Sequence, residues 1–148
     1  MSRVRLVTRQ IGISPHLLRV LPVGSATELP ASLGGGRVTP IDANHCPGAV
    51  IFLFELPDGR VALHTGDFRY QPAMASHPAL SGRRLDLLYL DTTYADPQYT
   101  FPTQQAAVAE VVLQCRLLQA SSRTLILFGA YSIGKERVYL QVGHGGHT

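Results

Sequence analysis

Apolar residues in this chain come mostly as short uninterrupted runs, with one stretch of helical spacing late in the sequence. Val4–Thr8 and Leu17–Leu21 are such runs, parted by Gly12 and Pro15, and both read as weak strands. Ala26–Gly36 reads as loop, because Pro30 and the Gly34-Gly35-Gly36 run break any regular element. Arg37–Asp42 is a strand. Ala49–Leu56 is apolar almost throughout, the pattern of a strand covered on both faces. Arg60–Thr65 follows it after Pro57-Asp58-Gly59; proline presets φ and glycine accepts φ > 0, so a hairpin is predicted. Gln71–Arg84 is a polar connection with one helical turn around Met74, and Leu85–Leu90 again has the buried-strand pattern.

From Pro102 to about Gln119, Val108, Val111, Val112, Cys115 and Leu118 recur with helical spacing, and proline suits the start of a helix. Thr124–Ala130 reads as a further strand, and a turn at Tyr131-Ser132 is expected to start a second helix at Ile133. The strand–helix–strand order around Leu85–Ala130 predicts a parallel pairing with a crossover helix, hence an α/β fold. No internal repeat is present.

Composition narrows the class. The 148 residues suffice for about one domain, and 45% hydrophobic with 16% charged residues argues for a folded chain. The formal charge is +3 and the isoelectric point about 9.1, a basic bias that permits nucleic-acid contact without requiring it. The cations are scattered: Arg3, Arg5 and Arg9, then Arg83-Arg84, then Lys135 and Arg137. Two cysteines, Cys46 and Cys115, are too few for a disulfide framework and point to a reducing compartment. No leader opens the chain and no apolar run is long enough to cross a bilayer, so a soluble intracellular protein is expected, with no membrane partner.

Three polar residues end or follow apolar strands. His45 precedes Cys46-Pro47-Gly48, a rigid turn able to hold an imidazole at a fixed angle. Asp67 follows Thr65-Gly66, and Asp91 terminates Leu85–Leu90. The predicted hairpin brings His45 and Asp67 to one edge of its sheet. Each residue has a commoner alternative: a loop histidine without a ligand, an aspartate capping a turn, an aspartate capping a helix. Together, at the ends of three strands, they suit a zinc-type hydrolytic centre built at the edge where α/β sheets carry their sites. His64 alternates with Thr65 and is expected to face away from Asp67. His16 and His77 read as surface loop residues, and His144 and His147 fall in a glycine-rich tail. Ser132 at a helix start, with Gly134 and Lys135 in the first turn, would make an anion-attracting end; an ordinary serine cap beside a surface lysine is the alternative.

Four phrases, "DANHCPGAV", "LHTGDFR", "LDTTY" and "YSIGKE", stand in the order found in a known family. Together they resemble the DNA cross-link repair nucleases of the metallo-β-lactamase superfamily, the β-CASP group of Artemis- and Apollo-like proteins. The resemblance runs from about Val4 to Val142. It implies a partial metallo-β-lactamase αββα sandwich that runs into the start of a β-CASP region. Residues 1–36 would be N-terminal partial strands and loop, 37–130 the core portion, 131–142 the β-CASP start, and 143–148 a disordered tail. It implies two zinc ions, with His45 as a metal ligand, Asp67 as the bridging ligand, and Asp67 and Asp91 as catalytic residues, Asp91 supporting the site without being a principal ligand. Ser132 and Lys135 would then meet a DNA phosphate. The implied activity is phosphodiester hydrolysis, as a 5′ exonuclease or structure-selective endonuclease in DNA repair. Its partners would be single-stranded or damaged DNA ends, with repair proteins beside them, in the nucleus.

The chain also departs from the family. None of its six histidines falls in the H-x-H-x-D-H signature that supplies four metal ligands there. A catalytic zinc takes three protein ligands plus water, so His45 and Asp67 are too few. The expectation is therefore a catalytically incomplete middle portion of a nuclease: a partial gene model, a splice form or a degenerate paralogue. Three other functions stay open: a metal-free pseudo-nuclease that binds DNA or a repair partner, an RNA-processing β-CASP hydrolase, and a small-molecule hydrolase of the same superfamily. Poor stability in isolation is expected too.

Overall fold

The structure, a computed structural model, describes residues 7–9, 11–119, 123–131 and 133–144. Backbone contacts divide the chain into two compact units, Met1–Thr92 and Thr93–Thr148. The division falls inside the 37–130 segment that reads as one portion in sequence.

The first unit is built on a five-stranded sheet of strands β1 (Thr27–Glu28), β2 (Arg37–Asp42), β3 (Val50–Glu55), β4 (Val61–His64) and β5 (Leu87–Tyr89), lying side by side in chain order. The first four strands run antiparallel; β5 lies parallel to β4 after a connection containing the short helix α1 (Pro72–Ala75). The β3–β4 hairpin turns where Pro57-Asp58-Gly59 predicts it. Gly59 N–H donates to the Leu56 carbonyl at 3.0 Å, and Leu56 N–H to the Arg60 carbonyl at 2.8 Å. Gly59 sits at φ 85°, which a side chain would resist.

Two-residue alternation decides what is buried. Ile41 pairs with Ile51 and Leu53 with Leu63 on one face, where they join Ala43 in a core packed by Phe68, Ala79, Leu80 and Leu85. On the opposite face Phe52 and Phe54 are only half-buried, with ring centroids 6.0 Å apart. The expectation that Ala49–Leu56 is covered on both faces therefore holds for one face. Pro40 sits inside β2, an unusual place for a residue without an N–H. Its carbonyl accepts Gly24 N–H at 2.7 Å, on the side where the two-residue β1 does not reach, so no ladder bond to β3 is lost.

Several expected elements differ. Leu17–Leu21 forms no strand; a single 3-10 turn, Pro15–Leu17, precedes extended chain, because Leu17 and Val20 find no strand partner and stay exposed. Val4–Thr8 lies mostly outside the described residues, and Val7–Arg9 is helical. Ala26–Gly36 is not wholly loop, since Thr27–Glu28 pairs with Val38 and Arg37, and Ala31–Leu33 is a 3-10 turn. Leu85–Leu90 is not buried: Leu87, Leu88 and Tyr89 are all exposed, because among the described residues β5 has a strand on its β4 side alone. Thr124–Ala130, expected as the next parallel strand, is irregular, with Leu125 and Leu127 exposed. The parallel crossover expected across Leu85–Ala130 is thus absent there, and the parallel pair of the sheet is β4–β5.

The second unit pairs helix α2 (Gln104–Gln119) with helix α3 (Glu136–His144). Thr103, one residue beyond the expected Pro102, caps α2: its hydroxyl accepts Ala106 N–H at 3.2 Å. Val108 and Cys115, seven residues apart, form the buried stripe, whereas Leu118 is exposed. Arg137 donates to the Gln104 side chain at 2.6 Å, tying the two helices. Helix α3 starts at Glu136 and not at Ile133. Gly143 and His144, expected in a disordered tail, complete it, and residues 145–148 lie outside the described residues.

Candidate functional site

The strand register separates two ends of the sheet. At one, the hairpin end, Arg37, Glu55 and Val61 lie in line; at the other, β2 and β3 are joined after Asp42 while β4 and β5 finish at His64 and Tyr89. His45, Asp67 and Asp91 all follow directly at this second end. His45 lies in the β2–β3 connection, Asp67 lies three residues beyond β4, and Asp91 two residues beyond β5. His45 and Asp67 are exposed and Asp91 is half-buried.

The connection carrying His45 is shaped by its own sequence. Ala49 N–H donates to the Cys46 carbonyl at 3.0 Å with Pro47 and Gly48 between, and Gly48 at φ 94° fits the third position of a type II turn. Asn44 sits at φ 52°, where its N–H donates to the Asp42 carboxylate at 2.7 Å. Asparagine tolerates this left-handed backbone better than most residues.

Four hydrogen bonds then hold the strand ends together. Arg69 N–H donates to the Ala43 carbonyl at 2.9 Å, and the Asn44 amide reaches the Arg69 carbonyl at 3.4 Å, so the His45 and Asp67 connections are joined. Thr65 N–H donates to the Tyr89 carbonyl at 3.0 Å. The buried Thr65 hydroxyl donates to the Gly66 carbonyl at 2.9 Å and accepts Asp91 N–H at 3.0 Å. His64 points to the other face: its ring stacks on Tyr89, centroids 5.6 Å apart, and its Nδ1 accepts Gly66 N–H at 3.0 Å. Asn44 and Thr65 escaped the sequence reading. An aspartate two residues before an asparagine after a strand is a turn signal that points to Asn44; Thr65 looks like any strand threonine.

The three candidate residues at this end are one imidazole and two carboxylates, types that zinc accepts. Among the described residues, no three His, Cys, Asp or Glu side chains gather closely enough to hold an ion. The donor set is right in kind and short in number.

The hairpin end is chemically different. Glu55 accepts from Arg37 at 2.8 Å and from Arg83 at 2.6 Å, and Asp58 accepts from Arg60 at 2.7 Å. The hydrogen bond from Arg83, followed by that from Arg37 and opposed by partial burial, holds the Glu55 carboxyl below its ordinary range. A cleft of about 470 Å³ opens here, lined by Glu28, Arg37, Glu55, Val61 and Arg83. None of the three candidate residues lines it.

Ser132 lies outside the described residues. Lys135 precedes α3 at φ 64°, with its ammonium 5.6 Å from the Tyr131 ring centroid. Glu136, the first residue of the helix, accepts Gly134 N–H at 2.8 Å. The expected first helical turn at Gly134-Lys135 is therefore a pre-helical turn, and one of its N–H groups is taken by the chain's own carboxylate. No helix among the described residues is long and apolar enough to cross a membrane.

No family model matches the chain. Curated relatives do. The chain is 44% identical over 138 residues to the DNA cross-link repair 1A protein of Gallus gallus, covering 93% of the chain and 14% of that protein. It is 42% identical over 139 residues to the DNA cross-link repair protein SNM1 of Arabidopsis thaliana, covering 93% of the chain and 28% of that protein. To the 5′ exonuclease Apollo of Mus musculus it is 42% identical over 141 residues, covering 93% of the chain and 25% of that protein. The chain thus spans less than a third of the length of each. Along nearly all of its own length the chain is similar to a segment of each of these DNA cross-link repair and Apollo proteins.

Proposed function

We propose that this chain is a segment of a DNA-repair nuclease of the metallo-β-lactamase, β-CASP type. In the whole protein it would hydrolyse DNA phosphodiesters as a 5′ exonuclease or structure-selective endonuclease, in interstrand cross-link or double-strand break repair. Its fold would be part of an αββα sandwich leading into a β-CASP region, and its setting the nucleus. The observation that carries this reading is the 39–44% identity, over 93% of the chain, to proteins named for cross-link repair and 5′ exonuclease activity. The emergence of His45, Asp67 and Asp91 at one end of the sheet supports it.

Zinc is the implied cofactor, and His45 and Asp67 would be the residues of this chain that meet it. Because the donors at this end are too few to close a catalytic centre, no metal-dependent step is assigned to the chain by itself. Its own contribution is scaffolding: it brings an imidazole and two carboxylates out of adjacent strand ends and ties their connections by hydrogen bonds.

A graft tests the proposal. The chain alone is expected to release no nucleotides from 5′-phosphorylated single-stranded DNA with zinc, magnesium or manganese. Exchanged for the aligned segment of the mouse 5′ exonuclease Apollo, it should support cleavage that Asp67→Ala removes. A folded chimera that binds DNA without cutting would favour a pseudo-nuclease, and cleavage confined to RNA would favour an RNA-processing hydrolase.

A further inference from the structure

Thr65 is among the few buried polar residues, 4% exposed or less, and it lies between two of the candidate carboxylates. Its strand, β4, ends one residue earlier; Asp67 follows two residues later, and Asp91 belongs to the end of the neighbouring strand. The hydroxyl uses both of its capacities. It donates to the Gly66 carbonyl, in the turn that leads into Asp67, at 2.9 Å, and accepts the backbone N–H of Asp91 at 3.0 Å. One oxygen therefore bridges the two turns. The backbone tie at this level, Thr65 N–H to the Tyr89 carbonyl at 3.0 Å, falls two residues short of Asp91.

We infer that Thr65 is a positioning residue, whose hydroxyl sets the turn carrying Asp67 against Asp91 so that the two carboxylates leave the sheet in fixed register. The functional meaning rests on the reading of this end as the site of a nuclease; the tie itself does not. Burial strengthens the effect. With no hydroxyl, the half-buried Asp91 N–H loses this acceptor. Valine has the shape of threonine without the acceptor, and serine keeps the acceptor without the methyl group, so the two substitutions separate hydrogen bonding from packing.

The test is amide hydrogen exchange of the full chain, followed by NMR, with Gly59 at the opposite end of the sheet as internal reference. In Thr65→Val, the Asp91 amide is expected to exchange on the order of tenfold faster relative to Gly59, while Thr65→Ser stays within about threefold of wild type. Equal protection of Asp91 in Thr65→Val and wild type would overturn the inference. So would a loss in Thr65→Ser as large as in Thr65→Val, which would assign the effect to packing. Should the valine variant not fold, the serine variant decides by itself: retained protection supports the tie, and a tenfold loss with the hydroxyl present refutes it. Since exchange needs neither metal nor DNA, failure of the graft experiment would remove the nuclease reading while leaving this result standing, and the reverse holds equally.

Discussion

The two ends of the sheet handle charge in opposite ways. At the hairpin end, Glu55 is clasped by Arg37 and Arg83, Asp58 by Arg60, and Asp86 accepts Val61 N–H through its carboxylate at 2.9 Å. Charged groups there are used to hold the strands in place. At the other end, His45 and Asp67 project from turns held by backbone bonds, by the Asn44 and Thr65 side chains, and by the Asp42 carboxylate, which accepts Asn44 N–H. Among the described residues neither side chain takes part in an ion pair or side-chain hydrogen bond. One end pairs its charges internally; the other leaves an imidazole and a carboxylate exposed to solvent.

The severest way to break this contrast is to remove what both ends share. Leu53 is 1% exposed at the centre of β3, and Leu53→Ala is expected to cost about 2–5 kcal/mol. Chemical denaturation should show the loss, and exchange protection should fall at both ends together. Loss at one end only would mean that the ends are held independently.

Gly36→Ala strikes the hairpin end alone. Gly36 has φ 79°, and a Cβ there would collide with the Glu55 carbonyl oxygen, so a loss of about 1–3 kcal/mol is expected. Melting should drop while the connections bearing His45 and Asp67 keep their NMR shifts. Movement of those shifts would blur the distinction between the two ends.

Glu55→Gln is a milder probe of the same end. Arg37 and Arg83 are each more than a third exposed, so solvent screening holds the expected cost to about 1 kcal/mol or less. The pH dependence has a definite sign. The folded carboxyl titrates below its ordinary value of 4.5, so its contribution is complete above that pH and is lost as pH falls through the lowered folded value. Urea midpoints measured from pH 7 to pH 3 should therefore converge for wild type and variant at the acid end. High salt should narrow the gap at neutral pH.

The smallest effect is expected at the other end. His45→Ala and Asp67→Asn should each change stability by no more than about 0.5 kcal/mol, as exposed residues outside a bonded network do. A thermal melt that shifts by much more would show that these side chains serve the fold, and the contrast between the ends would be lost.

The residues by themselves determined the local features. Pro57-Asp58-Gly59 dictates the hairpin because its φ requirements suit few other residues, and Pro47-Gly48 dictates the turn after His45 for the same reason. The apolar run Val50–Glu55 and the helical spacing of Val108 and Cys115 specify a strand and a helix through side-chain periodicity. The four phrases carried the kinship, later matched by relatives across 93% of the chain. Only the tertiary structure decided which apolar runs are covered. Leu87–Tyr89 and Leu125–Leu127 have similar composition, yet the first pairs with β4 and the second with no strand among the described residues. Pairing requires a partner edge at the right place, and no local pattern encodes where that edge will be. The ties made by Thr65 and Asn44, and the clasp of Glu55 by two arginines, were hidden for the same reason: each joins residues 18 to 28 positions apart, or bridges two turns through one atom, and exists only once the strands are aligned.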